Sequence, residues 1–291
     1  VSAAWRLSEE NFIKNLNVFD DLKLRVGYGV SGNSLGFDAF TAQQVYGQTG
    51  WFTNSEGQLV HTLGATRNAN PNLKWERTGM FNVGIDFGFF NNRLTGTLEY
   101  YDKRTKDLIY DYDVSTTAYI YNKLTANVGE ISNKGVELTI TAIPVLTKDL
   151  SWTTSLNLSH NKNVVEKLSN QAFSVDYLET ANLSGAGQSN IYSQRIMEGH
   201  PIGQFYTWEW AGYNDKGVSQ FYVHDPITGE RTGETTTTPK KTDQTCTGSA
   251  QPKLTLGWNN TVSYKNFTLT AFLQGTFGNK IMNASRARLS N

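Results

Sequence analysis

The sequence lacks most of the features by which a function announces itself. A single cysteine, Cys246, stands among 291 residues, so an internal disulfide framework is excluded. There is no surplus of either charge: Lys+Arg and Asp+Glu are 26 each. Proteins that hold nucleic acid by neutralising phosphates carry a basic excess, so no nucleic-acid partner is expected. No run of about 18 apolar residues occurs, which excludes a membrane-spanning helix. The opening Val1-Ser2-Ala3-Ala4-Trp5 lacks the charged start of a signal peptide, and the chain reads as an interior piece of something larger. His61, His160, His200 and His224 are too dispersed in sequence for a metal motif. A nucleophile elbow, a Walker loop, H-E-x-x-H and C-x-x-C are all missing. No cofactor, no metal and no enzymatic activity are expected.

What is present is strand and turn chemistry. Charged residues are 18%, against roughly 25% in an ordinary soluble domain. Aromatics reach 12% and glycine 26 residues, alongside abundant Thr and Asn. These favour strands and turns over helices. The ordering signal is alternation with period two. Leu22, Leu24, Val26, Tyr28 and Val30 alternate with polar or glycine positions, as do Phe81, Val83, Ile85, Phe87 and Phe89. Leu94, Leu98 and Tyr100 follow, then Val136, Leu138 and Ile140, then Trp152, Leu156 and Leu158. Near the end come Leu254, Leu256, Trp258, Val262 and Tyr264, and then Phe267, Leu269, Leu273 and Phe277. Each run gives one apolar and one polar face, as a pleated strand requires. The expected fold class is all-β and antiparallel.

The connections come in two sizes. Short turns are expected at Asn91-Asn92, from Pro144 to Leu150, and at Lys265-Asn266. Long loops are expected near 33–72, 111–125, 164–188 and 213–252. Unstructured loops of that length usually have a task. Their alternation places every long loop at one end of an up-and-down sheet. Strands of about ten residues, short turns at one end and long loops at the other suit a transmembrane β-barrel. Aromatics near strand ends (Phe89, Phe90, Tyr100, Tyr101, Tyr264, Phe267) would form its interfacial girdle. The polar faces carry Arg25, Asp86, Arg93, Glu99 and Glu137, which a wet lumen tolerates and a dry core does not. A soluble antiparallel sheet with its polar face in water shows the same alternation, so that alternative stays open.

Other motifs resolve into ordinary structure. Gly27-Tyr28-Gly29-Val30-Ser31-Gly32 spells G-x-G-x-x-G, but a dinucleotide site needs a helix opening there. Asn33-Ser34-Leu35-Gly36-Phe37 shows no helical pattern, and the glycines read as lightening a strand's inner face. Asp225-Pro226-Ile227-Thr228-Gly229-Glu230 and Asn214-Asp215-Lys216-Gly217 read as turns rather than calcium loops. Loop carboxylates such as Asp111 and Asp113 are solvated by default. Trp51, Phe52, Tyr119 and Tyr121 lie in long loops, where exposed aromatic faces can stack on sugars or anchor a partner protein. Tyr206, Trp208 and Trp210 could equally face lipid as girdle residues, and loop aromatics could pack the loops on themselves.

Several segments together resemble the SusC/RagA family of TonB-linked outer-membrane proteins, nutrient importers of Bacteroidetes. They include Ala4-Trp5-Arg6-Leu7-Ser8-Glu9-Glu10, Leu22-Lys23-Leu24-Arg25-Val26-Gly27-Tyr28-Gly29 and Asn70-Pro71-Asn72-Leu73-Lys74-Trp75-Glu76. Asn127-Val128-Gly129-Glu130-Ile131-Ser132-Asn133-Lys134-Gly135, Gly203-Gln204-Phe205-Tyr206 and Gly278-Asn279-Lys280-Ile281 continue the series in family order. The resemblance implies a segment of a barrel of about 22 strands, closed by a plug domain. It implies a SusD-like surface lipoprotein as lid, TonB acting through the plug, outer-membrane lipid around the wall, and a glycan or peptide substrate. Plug and final strands are expected to be missing from these 291 residues. An outer-membrane adhesin or structural barrel, or a soluble carbohydrate-binding β-sandwich, remain the alternatives.

Overall fold

The computed structural model describes residues 1–34, 40–170, 174–185 and 188–289. In chain order the leading strands are β1 (Ser2–Arg6), β2 (Asp21–Asn33), β3 (Val45–Thr53), β4 (Leu59–Arg67), β5 (Glu76–Phe89), β6 (Leu94–Asp113), β7 (Lys123–Leu146) and β8 (Leu150–Lys167). There follow β9 (Leu178–Asn182), β10 (Tyr192–Ile196), β11 (Gln204–Trp208), β12 (Trp210–Tyr213), β13 (Ser219–His224), β14 (Arg231–Thr236) and β15 (Gln244–Ser249). The chain ends in β16 (Leu254–Tyr264), β17 (Phe267–Phe277) and a short helix, α2 (Ala284–Leu289); another, α1 (Asn11–Lys14), joins β1 to β2. An eight-stranded sheet runs β1-β2-β5-β6-β7-β8-β16-β17, every neighbour antiparallel, and it is open rather than closed on itself.

The register makes one face apolar across all eight strands. Trp5 pairs Leu24, Leu24 pairs Ile85, Ile85 pairs Leu98, and Leu98 pairs Leu138. Leu138 pairs Leu158, and Leu158 pairs Leu256. Because side-chain parity is conserved along such a row, a slip of one residue anywhere would break it. The large residues on this face stand open: Leu98 is 42% exposed, Val136 42%, Ile85 39% and Leu269 70%. An apolar surface of that extent marks contact with something other than water. From Leu94 to Asp102 the face climbs roughly 20 Å, at about 3.4 Å per residue and about 40° of tilt. Aromatic residues bound it at the lower edge, where Phe19, Phe87 and Phe89 cluster with ring centres 5.0 and 5.6 Å apart. Gly27 to Gly32 lies wholly inside β2, so the dinucleotide reading fails; Leu35, Gly36 and Phe37 fall outside the described residues.

Short and long connections segregate to opposite ends. At one end lie the 90–93, 147–149 and 265–266 turns; Phe90, Asn91 and Asn92 all take positive φ, which Asn tolerates well. At the other end the excursions are not bare loops. Residues between β2 and β5 fold into the β3–β4 hairpin. Between β8 and β16 the chain forms a four-stranded sheet, β15-β11-β10-β9, and a three-stranded one, β12-β13-β14. The sequence offered β9, β13, β14 and β15 as parts of loops near 164–188 and 213–252, and did not single out β10, β11 or β12 as strands, because strands of four to six residues are too short to show alternation. Tyr206, Trp208 and Trp210 therefore belong to this excursion and not to a girdle on the main sheet.

The main strands also run longer than ten residues: β6 has 20, β7 has 24 and β8 has 18. Two bulges explain why alternation hides this. One extra residue enters β6 between Thr105 and Leu108, and one enters β7 between Asn127 and Gly129. Each insertion reverses odd and even, so Tyr112, Leu124 and Ala126 join the side that is polar lower down. There they are buried, and Val175 packs against the cluster that Tyr112 and Ala126 form with Val128. Of two further irregularities between β7 and β8, one lies at Glu130/Ile131 and one in β7 between Ala142 and Val145, where Pro144 sits inside the strand and not in a turn. Proline lacks the ladder donor and is tolerated at such a position.

Candidate functional site

The polar face of the main sheet gathers four of the five predicted charges. Arg25 forks onto Asp86, with Nε at 2.9 Å and Nη2 at 3.0 Å from its two oxygens. Lys23 reaches the same carboxylate at 3.1 Å, and the Thr97 hydroxyl donates to it at 3.0 Å. Across the strands Arg25 approaches Glu99 at 3.6 Å, and Asn82 donates to Glu99 at 3.1 Å. Gly84 lies opposite Arg25, and a Cβ there would stand 2.9 Å from the guanidinium, so the glycine leaves the arginine room to cross in this position. Glu137 pairs directly with Glu99, and the Ser159 hydroxyl donates to it at 3.4 Å. Like charges directly opposite one another destabilise a sheet, and Arg25 offsets this from one side only.

The fifth charge, Arg93, sits apart in the 90–93 turn. Its guanidinium donates to the carbonyls of Ile143 at 3.0 Å and Pro144 at 2.6 Å. It thus satisfies the backbone acceptors that the Pro144 bulge frees.

The predicted loop aromatics fall into two places. Trp51 stacks on His61 across the β3–β4 hairpin, ring centres 3.7 Å apart, while Phe52 faces Val60; both aromatics are exposed. They flank the hairpin tip, where Asn54 Oδ1 accepts from the backbone of Glu56 and Gln58. Tyr119 and Tyr121 lie in the 114–122 connection. The link between hairpin and connection is at the hairpin's base: buried Asn68 donates to the carbonyls of Tyr121 and Lys123 and accepts from the Tyr121 amide at 3.1 Å. Asn70 adds a bond to the Thr125 carbonyl at 2.8 Å. The two turn motifs behave as turns: Asp225 accepts from Ile227 and Thr228 N–H, and Asn214 from Lys216 and Val218 N–H.

Sequence reading missed two polar centres in the β9–β15 excursion. The Arg195 guanidinium, 8% exposed, lies between the rings of Tyr177 and Tyr206, 4.1 and 3.8 Å from their centres. Gln244 and Glu179 complete its partners at 3.3 and 3.5 Å. In the neighbouring sheet Glu209 accepts from Arg231 at 2.6 and 3.0 Å and meets His224 at 3.2 Å. The Arg231 hydrogen bonds hold the Glu209 carboxyl below its ordinary range, against a smaller opposing effect of burial. No signal in the linear sequence joins Tyr177, Arg195, Tyr206 and Gln244, since their proximity exists only once β9, β10, β11 and β15 pair. Both centres bind side chain to side chain within the module, which gives the excursion a fixed shape.

With this geometry in hand, the comparisons with known proteins are specific. The family described as TonB dependent receptor-like, beta-barrel matches residues 1–274. The TonB-dependent receptor SusC of Bacteroides thetaiotaomicron is 29% identical over 283 residues, covering 97% of this chain and 27% of SusC. The TonB-dependent receptor P26 of Formosa agariphila is 31% identical over 291 residues, covering 97% of this chain and 28% of that receptor. Among solved structures, the RagAB peptide transporter superposes with a TM-score of 0.77 at 26% identity, over 95% of this chain and 29% of the other. RagAB in its open-open state gives a TM-score of 0.78 at 25% identity. The chain spans little more than a quarter of the length of these relatives. The chain belongs to the TonB-dependent receptor β-barrel family, in its SusC/RagA branch.

Proposed function

We propose that these strands form a stretch of the wall of an outer-membrane importer that passes a glycan or a peptide and works with a SusD-like lipoprotein lid and with TonB. The observation that carries this reading is the unbroken apolar row backed by a charged, hydrogen-bonded face. A pore wall needs lipid on one side and water on the other, and no covalent chemistry. The apolar band of roughly 20 Å approaches the about 25 Å of known outer-membrane barrels. On this reading the 90–93, 147–149 and 265–266 turns are periplasmic, and the β3–β4 hairpin and β9–β15 excursion are extracellular. Arg25, Asp86, Glu99 and Glu137 line the lumen, where they meet water or the plug. Arg93 closes the periplasmic rim of the same face. Trp51 and Phe52 at the hairpin tip, with Tyr119 and Tyr121 beside its base, are the surfaces offered to lid or cargo. RagAB is a peptide importer, which supports a peptide without excluding a glycan.

The test is made in the full-length parent. The W51A/F52A variant should lower co-purification of the lipoprotein or uptake of the nutrient, with unchanged amounts of protein in the outer membrane. Normal lid capture and normal uptake in that variant, and in Y119A/Y121A, would remove the loop assignment. Recovery of the parent in the soluble fraction would remove the importer reading itself.

A further inference from the structure

At the upper end of the apolar face, β2, β5 and β6 line a groove of about 680 Å³. Its lower walls are Tyr28, Val30 and Phe81, and its upper rim is Arg77, Arg104 and Lys106, with Asp102 at one side. The register places all of these on the parity of the apolar row: Tyr28 pairs Phe81, Phe81 pairs Asp102, Gly79 pairs Arg104, and Arg77 pairs Lys106. Gly79 contributes no side chain between Val30 and Arg104, which leaves the floor of the groove open.

Two of the three rim cations, Arg104 and Lys106, are poorly satisfied within the protein, whereas Arg77 donates twice to Asp107. Arg104 stands 3.7 Å from Asp102 and Lys106 3.8 Å from Glu130, both beyond hydrogen-bond reach. Asp102 has its close partner elsewhere, in Lys134 at 3.1 Å. Arg77 shares Asp107 with Lys74, at 3.0 and 2.9 Å, so one carboxylate serves two cations. Five cations thus face three carboxylates. Side chains of Arg77, Arg104 and Lys106 are about half exposed or more, at 63%, 48% and 57%.

We propose that this groove binds one phosphate-bearing anionic lipid of the outer leaflet. Its acyl chain lies along Val30 and Phe81, and its phosphate rests on Arg104, Lys106 and Arg77. The inference rests on the outward orientation of the apolar face given under Proposed function. Continuity with that face selects a lipid as the occupant: the groove's lower half is the top of the surface that meets acyl chains. The charge gradient selects the headgroup, since guanidinium groups bind phosphate oxygens through paired N–H donors. Free phosphate would use the rim alone and gain nothing from Tyr28, Val30 or Phe81.

The experiment uses the full-length parent in mild detergent, titrated with lipid A and with phosphatidylcholine and read by native mass spectrometry. Two variants are compared: R104A/K106A removes rim charge, and Gly79→Leu fills the floor while leaving every charge in place. R104A/K106A should weaken lipid A binding by about tenfold, the loss expected from one or two charge-assisted contacts, Gly79→Leu should weaken it by occupying the acyl-chain seat, and both should leave phosphatidylcholine unchanged. Unaltered lipid A affinity in the two variants overturns the site. Displacement of lipid A by an equal concentration of inorganic phosphate also overturns it, since the groove would then be a free-anion site. A separate arm checks orientation: bimane on Leu98→Cys, with Cys246→Ser, is quenched by brominated phosphatidylcholine in a bilayer if that face is outward. Quenching together with unaltered lipid A affinity rejects the groove alone; absence of quenching rejects the orientation on which it stands.

Discussion

Replacement of Leu98 by arginine tests the two-sided wall most sharply, because its neighbour Thr97 supplies the control. Leu98 lies midway between Leu94 and Asp102, flanked by Ile85 and Leu138 on the apolar face. That puts it roughly 10 Å from either edge of the band, by the rise and tilt of a barrel strand. Arginine at the bilayer midplane costs about 2–4 kcal/mol in barrels of this kind. Thr97 faces the other way, onto Asp86 at 3.0 Å. Around it Asp86, Glu99 and Glu137 outnumber Lys23 and Arg25, so an added guanidinium meets net negative charge. Its cost is the lost hydroxyl hydrogen bond, about 1 kcal/mol. The difference of roughly 1–3 kcal/mol corresponds to about 5- to 150-fold in the folding equilibrium. Urea titration of full-length protein in vesicles measures it. Equal destabilisation by Leu98→Arg and Thr97→Arg, or the reverse order, would refute the assignment of faces.

Three further perturbations address other parts. Asn68→Ala removes the clamp between the hairpin base and the 114–122 connection, at a cost of about 1–3 kcal/mol for the buried groups left unpaired; amide exchange at Tyr121 should accelerate, and an unchanged rate would deny the clamp. Gly135→Val should block assembly, because a Cβ at Gly135 would fall 2.3 Å from the ring of Tyr101, and Tyr101→Ala should restore heat-modifiable mobility on gels; failure of that rescue would assign the glycine another role. The depressed carboxyl of Glu209 contributes stability that is present above its unfolded value, about 4.3, and is lost as pH falls through the lower folded value. Limited proteolysis of the β12–β14 sheet should therefore rise below about pH 4, and Glu209→Gln should flatten that rise; an identical acid profile in the variant would contradict the linkage.

The alternation was legible because each central strand borders two different media, and a period of two records that directly. The glycines of β2 were readable as space on the inner face, and Gly84 of β5, which that reading did not single out, sits beneath Arg25 and shows what such space is for. The bulges were not legible. Leu108, Tyr110 and Tyr112 continue the even parity of Leu98 and Tyr100 in the sequence, as though still on the apolar face. A one-residue insertion in β6, matched by another in β7, turns Tyr112 to the opposite side, and neither insertion changes the local composition. Asp107, with φ of 61°, is the single local trace, since aspartate accepts the left-handed region more readily than most residues. Arg93 illustrates a different limit. Its charge and parity suggested the polar face, whereas its hydrogen bonds go to a bulge at Pro144 whose existence depends on the pairing of β7 with β8.

The reversal of parity also explains how one sheet serves two tasks. Below Thr105 the wall must present apolar residues outward and polar ones inward. Above it the strands leave the band, and water surrounds both faces unless something covers one. By turning Tyr112 and Ala126 inward, where they cluster with Val128, the bulges supply an apolar seat on which Val175 packs, at the start of the β9–β15 excursion. Without the reversal those side chains would continue outward, and the excursion would rest on a polar surface with little to hold it. On the outward side Arg104, Lys106 and Arg77 stand just short of the reversal, still on the parity of the apolar row. On the proposed orientation, a paired insertion of one residue in each strand thus turns the upper end of the wall into the footing of the β9–β15 excursion.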